Sequence, residues 1–224
     1  MSVEKKEIKI GRMVLSSFAT NAYFLYREGS DRVIVIDPAD DGTRIYASLF
    51  KNDLKVEGIL LTHGHGDHIW GVHSLKGAVN RERQEKGLEP VKVYASEQEK
   101  TLLEDTEMNI TEMCGRPCTV TPDVCLKDGQ ELELADIKLR VITTPGHTAG
   151  SCCFYVEEAG FLISGDTLFQ ASVGRTDFPT GSMSTLVRSI QEKLFVLPNE
   201  TKVYPGHGDM TTIGFEKENN PFCV

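Results

Sequence analysis

The sequence predicts a layered α/β fold, and three observations carry that reading. Short runs rich in β-branched and aromatic residues alternate with stretches of helical apolar spacing along the 224 residues. Hydrophobic residues make up 40% and 20 glycines punctuate the turns, ordinary usage for a chain that buries its core without disulfides. Several apolar runs stop abruptly at glycine, histidine and aspartate, as strands do where loops gather at one end of an α/β sheet.

Taken in order, residues 8–15, 22–26 and 33–36 read as strands, and a helix fits 43–51. A strand over 58–62 precedes a helix over 69–86, and the segment 77–90 is strongly charged and reads as a solvated helix extension and turn. A strand at 91–95 leads to a helix at 97–103. Weak periodicity over 104–127 predicts a long loop with at most one short helix. Strands then fit 132–134, 137–142, 151–156, 161–164 and 203–204. Met183, Leu186, Val187, Ile190 and Leu194 give helical spacing across 182–195. With no repeat or low-complexity tract, the whole of 1–224 is read as one domain.

Charge and composition exclude several classes. Lysine and arginine total 24 against 33 acidic residues, a net charge of −9 and the wrong sign for gripping a phosphate backbone. Apolar runs such as Gly58-Ile59-Leu60-Leu61 fall far short of the ~20 residues that cross a bilayer. The N-terminal stretch MSVEKKEIKIG is charged and lacks the apolar core of a secretory signal. A cytoplasmic protein with a small-molecule partner, rather than nucleic acid or membrane, is expected. The six cysteines include no CxxC pair, and Cys114 and Cys118 lack a second pair to complete a structural zinc site. Free thiols are expected. Cys152 and Cys153 read as ordinary strand residues.

Histidine placement carries the functional signal. An apolar run ends in His63-Gly64-His65-Gly66-Asp67-His68; others run into Pro145-Gly146-His147, Gly165-Asp166 and Pro205-Gly206-His207. Four metal-ligand types in six residues, straight after a buried strand, would be costly as unpaired polar groups. A metal removes that cost. His63 and His65, two apart, can aim at one ion, while Asp67 and His68 turn toward a second.

These motifs, with Gly174-Arg175-Thr176-Asp177-Phe178 and the ending Thr211-Thr212-Ile213-Gly214, resemble the metallo-β-lactamase-fold hydrolases. Within them the chain is most similar to the single-domain glyoxalase II-like, or hydroxyacylglutathione hydrolase-like, group. The resemblance implies a four-layered αββα sandwich of two mixed sheets with helices outside. It makes His63, His65 and His147 ligands of one metal and Asp67, His68 and His207 ligands of the other, with Asp166 bridging. Asp37 matches a position near the site that orients a ligand. His73 matches no ligand position and is expected to face solvent or pack.

Five neutral imidazoles and two carboxylates set −2 against +4 from two divalent cations, and a bridging hydroxide leaves +1. Such a site acidifies bound water and stabilises an oxyanion, with Asp67 and Asp166 as the catalytic carboxylates. Zinc is favoured for hydrolysis, and iron and manganese accept the same ligands. The resemblance implies cleavage of an S-acyl-glutathione-like thioester.

Arg175 keeps the family's cation nine residues past Asp166, suited to an anionic substrate end; an ion pair with Asp177 is the alternative. Asp209 departs from the family's tyrosine. Seventeen residues follow His207, so no C-terminal glutathione-binding helical domain is expected. Ser164, Thr167 and Asp177 stand as partners of Asp166 or as plain turn residues. A persulfide dioxygenase-like site, one iron on His63, His147 and Asp166, is the second reading. The missing export signal argues against a periplasmic β-lactamase, and the acidic charge argues against a ribonuclease.

Overall fold

The chain enters as an antiparallel run, β1 (Ile8–Leu15), β2 (Thr20–Arg27) and β3 (Arg32–Ile36), then switches to parallel crossovers. This computed structural model describes residues 6–223; the N-terminal stretch read above as no signal lies partly outside them. Helix α1 (Gly42–Lys51) carries the chain from β3 to β4 (Lys55–Leu60). Helices α2 (Gly66–Ile69) and α3 (Val72–Glu85) carry it on to β5 (Lys92–Ser96). Helix α4 (Lys100–Leu103) and a long turn-rich segment precede β6 (Val124–Leu126), which closes a six-stranded sheet ordered β1-β2-β3-β4-β5-β6.

The second sheet uses β7 (Glu131–Leu134), β8 (Ile137–Thr143), β9 (Cys152–Val156), β10 (Phe161–Gly165), β13 (Lys202–Pro205) and β14 (Thr211–Thr212). Its order is β14-β13-β10-β9-β8-β7, with β10 and β13 parallel. A hairpin of β11 (Leu168–Phe169) and β12 (Ser172–Val173) stands apart. Helices α5 (Met183–Ser189) and α6 (Ile213–Asn219) complete the chain.

Alternation along the strands sorts side chains into three apolar layers. Ala22, Phe24, Val33 and Val35 pack outward against Ile45 and Leu49 of α1 and Leu75 and Val79 of α3. Tyr23, Leu25, Ile34 and Ile36 pack inward against Leu139, Val141, Phe154 and Val156 of the facing sheet. Cys153, Tyr155 and Leu162 meet Leu186, Ile190 and Ile213 on the far side. The layers run helix, sheet, sheet, helix. This is the αββα sandwich that the motifs implied.

Several boundaries differ from the sequence reading. The helix placed at 69–86 begins earlier, breaks at Trp70-Gly71 and ends at Glu85. Gly71 lies so close to the β3–α1 loop that a Cβ there would overlap the Pro38 carbonyl oxygen. The stretch 182–195 is α helical only to Ser189, followed by a π-helical turn, Ile190–Leu194. The loop expected at 104–127 contains β6, three residues too short to show alternation. Cys152 and Cys153 pack on opposite faces of β9, and all six cysteines are free, as expected. Among the described residues no helix is long and apolar enough to cross a membrane.

Candidate metal centre

Four strand ends from the two sheets meet at one edge of the sandwich. The turn after β4 brings His63 and His65, and the short α2 adds Asp67 and His68. The turn after β8 brings His147, β10 ends beside Asp166, and β13 ends two residues before His207. All seven residues picked from the sequence come together.

They form two groups, with a third triad, His63–His68–Asp166, overlapping both. His147 Nε2 lies 3.1 Å from His63 Nε2 and 2.8 Å from His65 Nδ1, so three ring nitrogens converge on one point. His207 Nε2 lies 3.2 Å and His68 Nε2 3.7 Å from Asp67 Oδ2, the second convergence. Asp166 faces both, with Oδ1 at 3.3 Å from His68 Nε2 and Oδ2 at 3.7 Å from His147 Nε2 and 3.5 Å from His207 Nε2.

In four of the five rings the outward nitrogen is held by an acceptor. His147 Nδ1 donates to the Arg175 carbonyl at 2.7 Å and His207 Nδ1 to the Phe18 carbonyl at 3.1 Å. His68 Nδ1 lies 3.0 Å from Asp37 Oδ2. Thr62 Oγ1 donates to Asp37 Oδ2 at 2.6 Å, which leaves it to accept from His63 Nδ1 at 3.1 Å. Four rings thus have Nδ1 held outward and Nε2 turned inward, the arrangement that orients a metal-ligating histidine. Asp37 is buried beneath the site, as the resemblance implied, and also accepts the Thr62 N–H at 2.8 Å.

The residues fit metal ions on an independent count. His68 Nε2 and Asp166 Oδ1, both turned toward the cluster, are buried without a hydrogen bond. Each such group costs about 1–3 kcal/mol if left unsatisfied. Their clustering in one imidazole–carboxylate cavity marks a donor set suited to divalent transition metals.

Without ions the two groups differ in charge. Burial, then repulsion from neighbouring rings, pushes His63 far down and His65 down to about 3. Burial likewise lowers His147. Burial also opposes charge on His68 and His207, but Asp67 and Asp166 outweigh it, raising His68 strongly and His207 to about 9. Asp67 falls to about 2 and Asp166 is also held well below the usual carboxylate range, against burial, through those same histidines. One group stands open to a cation. The other holds itself together as ion pairs.

The remaining predicted residues fall as follows. Arg175 forms a two-bond ion pair with Asp177, at 2.7 Å each, and lies 3.7 Å over the Phe178 ring, itself 5.6 Å from His65. His73 is exposed and donates to the Thr119 carbonyl, clear of the site. Ser164 and Thr167 bond to the Leu168 carbonyl and the Thr144 hydroxyl, as turn residues do. Sequence reasoning missed Thr20, which donates to Asp67 Oδ2 at 2.7 Å, and the Phe18 carbonyl. Both come from the β1–β2 connection, which carries no motif of its own.

A model of the metallo-beta-lactamase superfamily matches residues 16–207. The chain is 38% identical over 217 residues to "Probable metallo-hydrolase YqgX" of Bacillus subtilis (96% of this chain, 97% of that one). It is 33% identical over 211 residues to "Hydroxyacylglutathione hydrolase GloC" of Haemophilus influenzae (93% and 94%). Among solved structures it resembles the BLEG-1 B3 metallo-beta-lactamase, at 35% identity and a TM-score of 0.87 (96% and 100%). It also resembles TTHA1623 in a di-iron-bound form, at 32% identity and a TM-score of 0.81 (95% and 99%). Fold, the strand-end histidines and aspartates and these similarities agree: the chain belongs to the metallo-beta-lactamase superfamily.

Proposed function

We propose that this metallo-hydrolase-family protein is a binuclear thioesterase, cleaving S-acyl-glutathione-like thioesters to an acid and a thiol. The observation that carries the reading is the pair of converging groups with Asp166 facing both. His63, His65 and His147 would hold one ion and Asp67, His68 and His207 the other, with Asp166 contributing to each. When bound, two divalent cations acidify water and polarise a carbonyl.

The chain's own residues do the rest. Thr20 holds the Asp67 carboxylate in place, and the Phe18 and Arg175 carbonyls and Asp37 fix the ring planes of His207, His147 and His68. Asp67 and Asp166 stay ionised at neutral pH and concentrate positive charge at the strand ends. A thiolate leaves readily, so no strong general acid is required. Arg175, exposed on the loop behind His147, takes an anionic end of the substrate in exchange for Asp177.

Similarity to the Haemophilus influenzae hydroxyacylglutathione hydrolase supports this substrate class, and likeness to a di-iron-bound structure supports a two-metal site. Zinc is the favoured metal, with iron the first competitor. The test is turnover by the metal-loaded protein of an S-acyl-glutathione, followed by thiol release. Oxygen uptake with a glutathione persulfide, and no thiol release from the thioester, would establish the mononuclear dioxygenase reading on His63, His147 and Asp166 instead.

A further inference from the structure

Behind the three-histidine group lies a carboxylate that this chemistry does not use. Glu99, at the junction of the 3-10 turn Glu97–Glu99 and α4, is fully buried. Its Oε1 accepts the N–H of Gly64 at 2.8 Å, and its Oε2 accepts the N–H of Gly150 at 2.9 Å. The Thr148 hydroxyl lies 2.9 Å from both oxygens. Gly64 stands between His63 and His65, and Thr148 follows His147. One side chain therefore ties together two turns that come from different sheets, one after β4 and one after β8.

Packing enforces the same junction. A Cβ on Gly64 would press within 2.9 Å of the Leu103 side chain, and one on Gly150 would overlap the Glu99 backbone nitrogen. Both turns dock on one short helix with no slack. Glu99 faces only neutral donors, and its burial pushes the carboxyl up to about 7. A buried carboxylate without a cation is expensive, so an unconstrained position would not keep one. Glutamine is no equivalent, because its amide would turn an NH2 toward one of the two glycine N–H groups. Asp37 touches a ligand ring directly; Glu99 acts only through the two backbones.

We propose that Glu99 is a positioning residue that sets the spacing of the His63–His65–His147 group, and so controls cation affinity there but not at the Asp67–His68–His207 group. The proposal rests on the two-metal reading above. A partner of this kind typically changes metal affinity 10–100-fold.

The test is a titration of metal-free protein with Zn2+ against a chromophoric chelator, in two backgrounds that each leave one group intact. With His207→Ala, Glu99→Gln should weaken Zn2+ binding about tenfold or more. With His65→Ala, the same change should leave affinity within about twofold. Near-ultraviolet circular dichroism of the metal-free variants checks that they fold. If Glu99→Gln does not fold, Thr148→Val removes the shared hydroxyl, and the same selective weakening is expected. Equal weakening in both backgrounds, or none in the first, overturns the proposal. Wild-type protein that binds fewer than two Zn2+ contradicts the binuclear reading, and the His207→Ala arm still decides Glu99.

Discussion

His147 donates its Nδ1–H to the carbonyl oxygen of Arg175 at 2.7 Å, so the loop presenting the Arg175 guanidinium also fixes a ring of the metal centre. The two roles separate cleanly, because a side-chain substitution leaves the carbonyl in place. Arg175→Ala should keep metal content and kcat and raise KM for an anionic thioester about tenfold, the low end for a charge-assisted contact at an exposed site. A neutral thioester should be insensitive. Equal losses on both substrates would mean that the Asp177 ion pair is purely structural.

Asp166→Ala should be the most damaging single change, since this carboxylate faces both groups. Metal content should fall below one ion per chain, with activity lost. Retention of both metals with full activity would show that the ligand assignment is wrong.

Asp37→Asn tests the support beneath the second group. Asp37 faces three donors, the Thr62 N–H, the Thr62 hydroxyl and His68 Nδ1, and an amide must turn its NH2 toward one of them. Zn2+ affinity of the Asp67–His68–His207 group should fall about 10–100-fold, measured by chelator competition in a His65→Ala background. Unchanged affinity would show that His68 needs no such support.

Much of this was legible in the sequence because the chemistry is local. The run His63 to His68 packs four ligand types into six residues, and His147, Asp166 and His207 each follow an apolar strand directly. Strands β1 and β8 could be placed because alternation ran long enough to show, and β3 because Val33-Ile34-Val35-Ile36 is an unbroken β-branched run. What stayed hidden is what depends on the third dimension. The Phe18 and Arg175 carbonyls carry no residue-type signal, and Thr20 reaches Asp67 across 47 positions. Glu99 lies in the stretch read as a helix and drew no reading of its own, since nothing local says that two glycine turns will bury it. The three-residue β6 is held by pairing with β5 rather than by its own pattern.

Glu99 also predicts a pH dependence. Burial raises its folded-state pKa to about 7, from the ordinary glutamate value of 4.5. Between those values the folded chain keeps a proton that the unfolded chain has released. Its contribution to stability is therefore full below pH 4.5 and declines as pH rises toward 7, with a slope approaching ~1.4 kcal/mol per pH unit. Urea unfolding of metal-free wild type and Glu99→Gln across this range should show their difference drifting against wild type. A flat difference would mean that Glu99 titrates as an exposed carboxylate.

Elemental analysis of the purified, metal-saturated protein decides whether the site is a two-metal centre. Two divalent ions per chain are expected, falling to one in His65→Ala and in His207→Ala separately. One iron per chain, with no second metal under saturating supply, would contradict a two-metal centre.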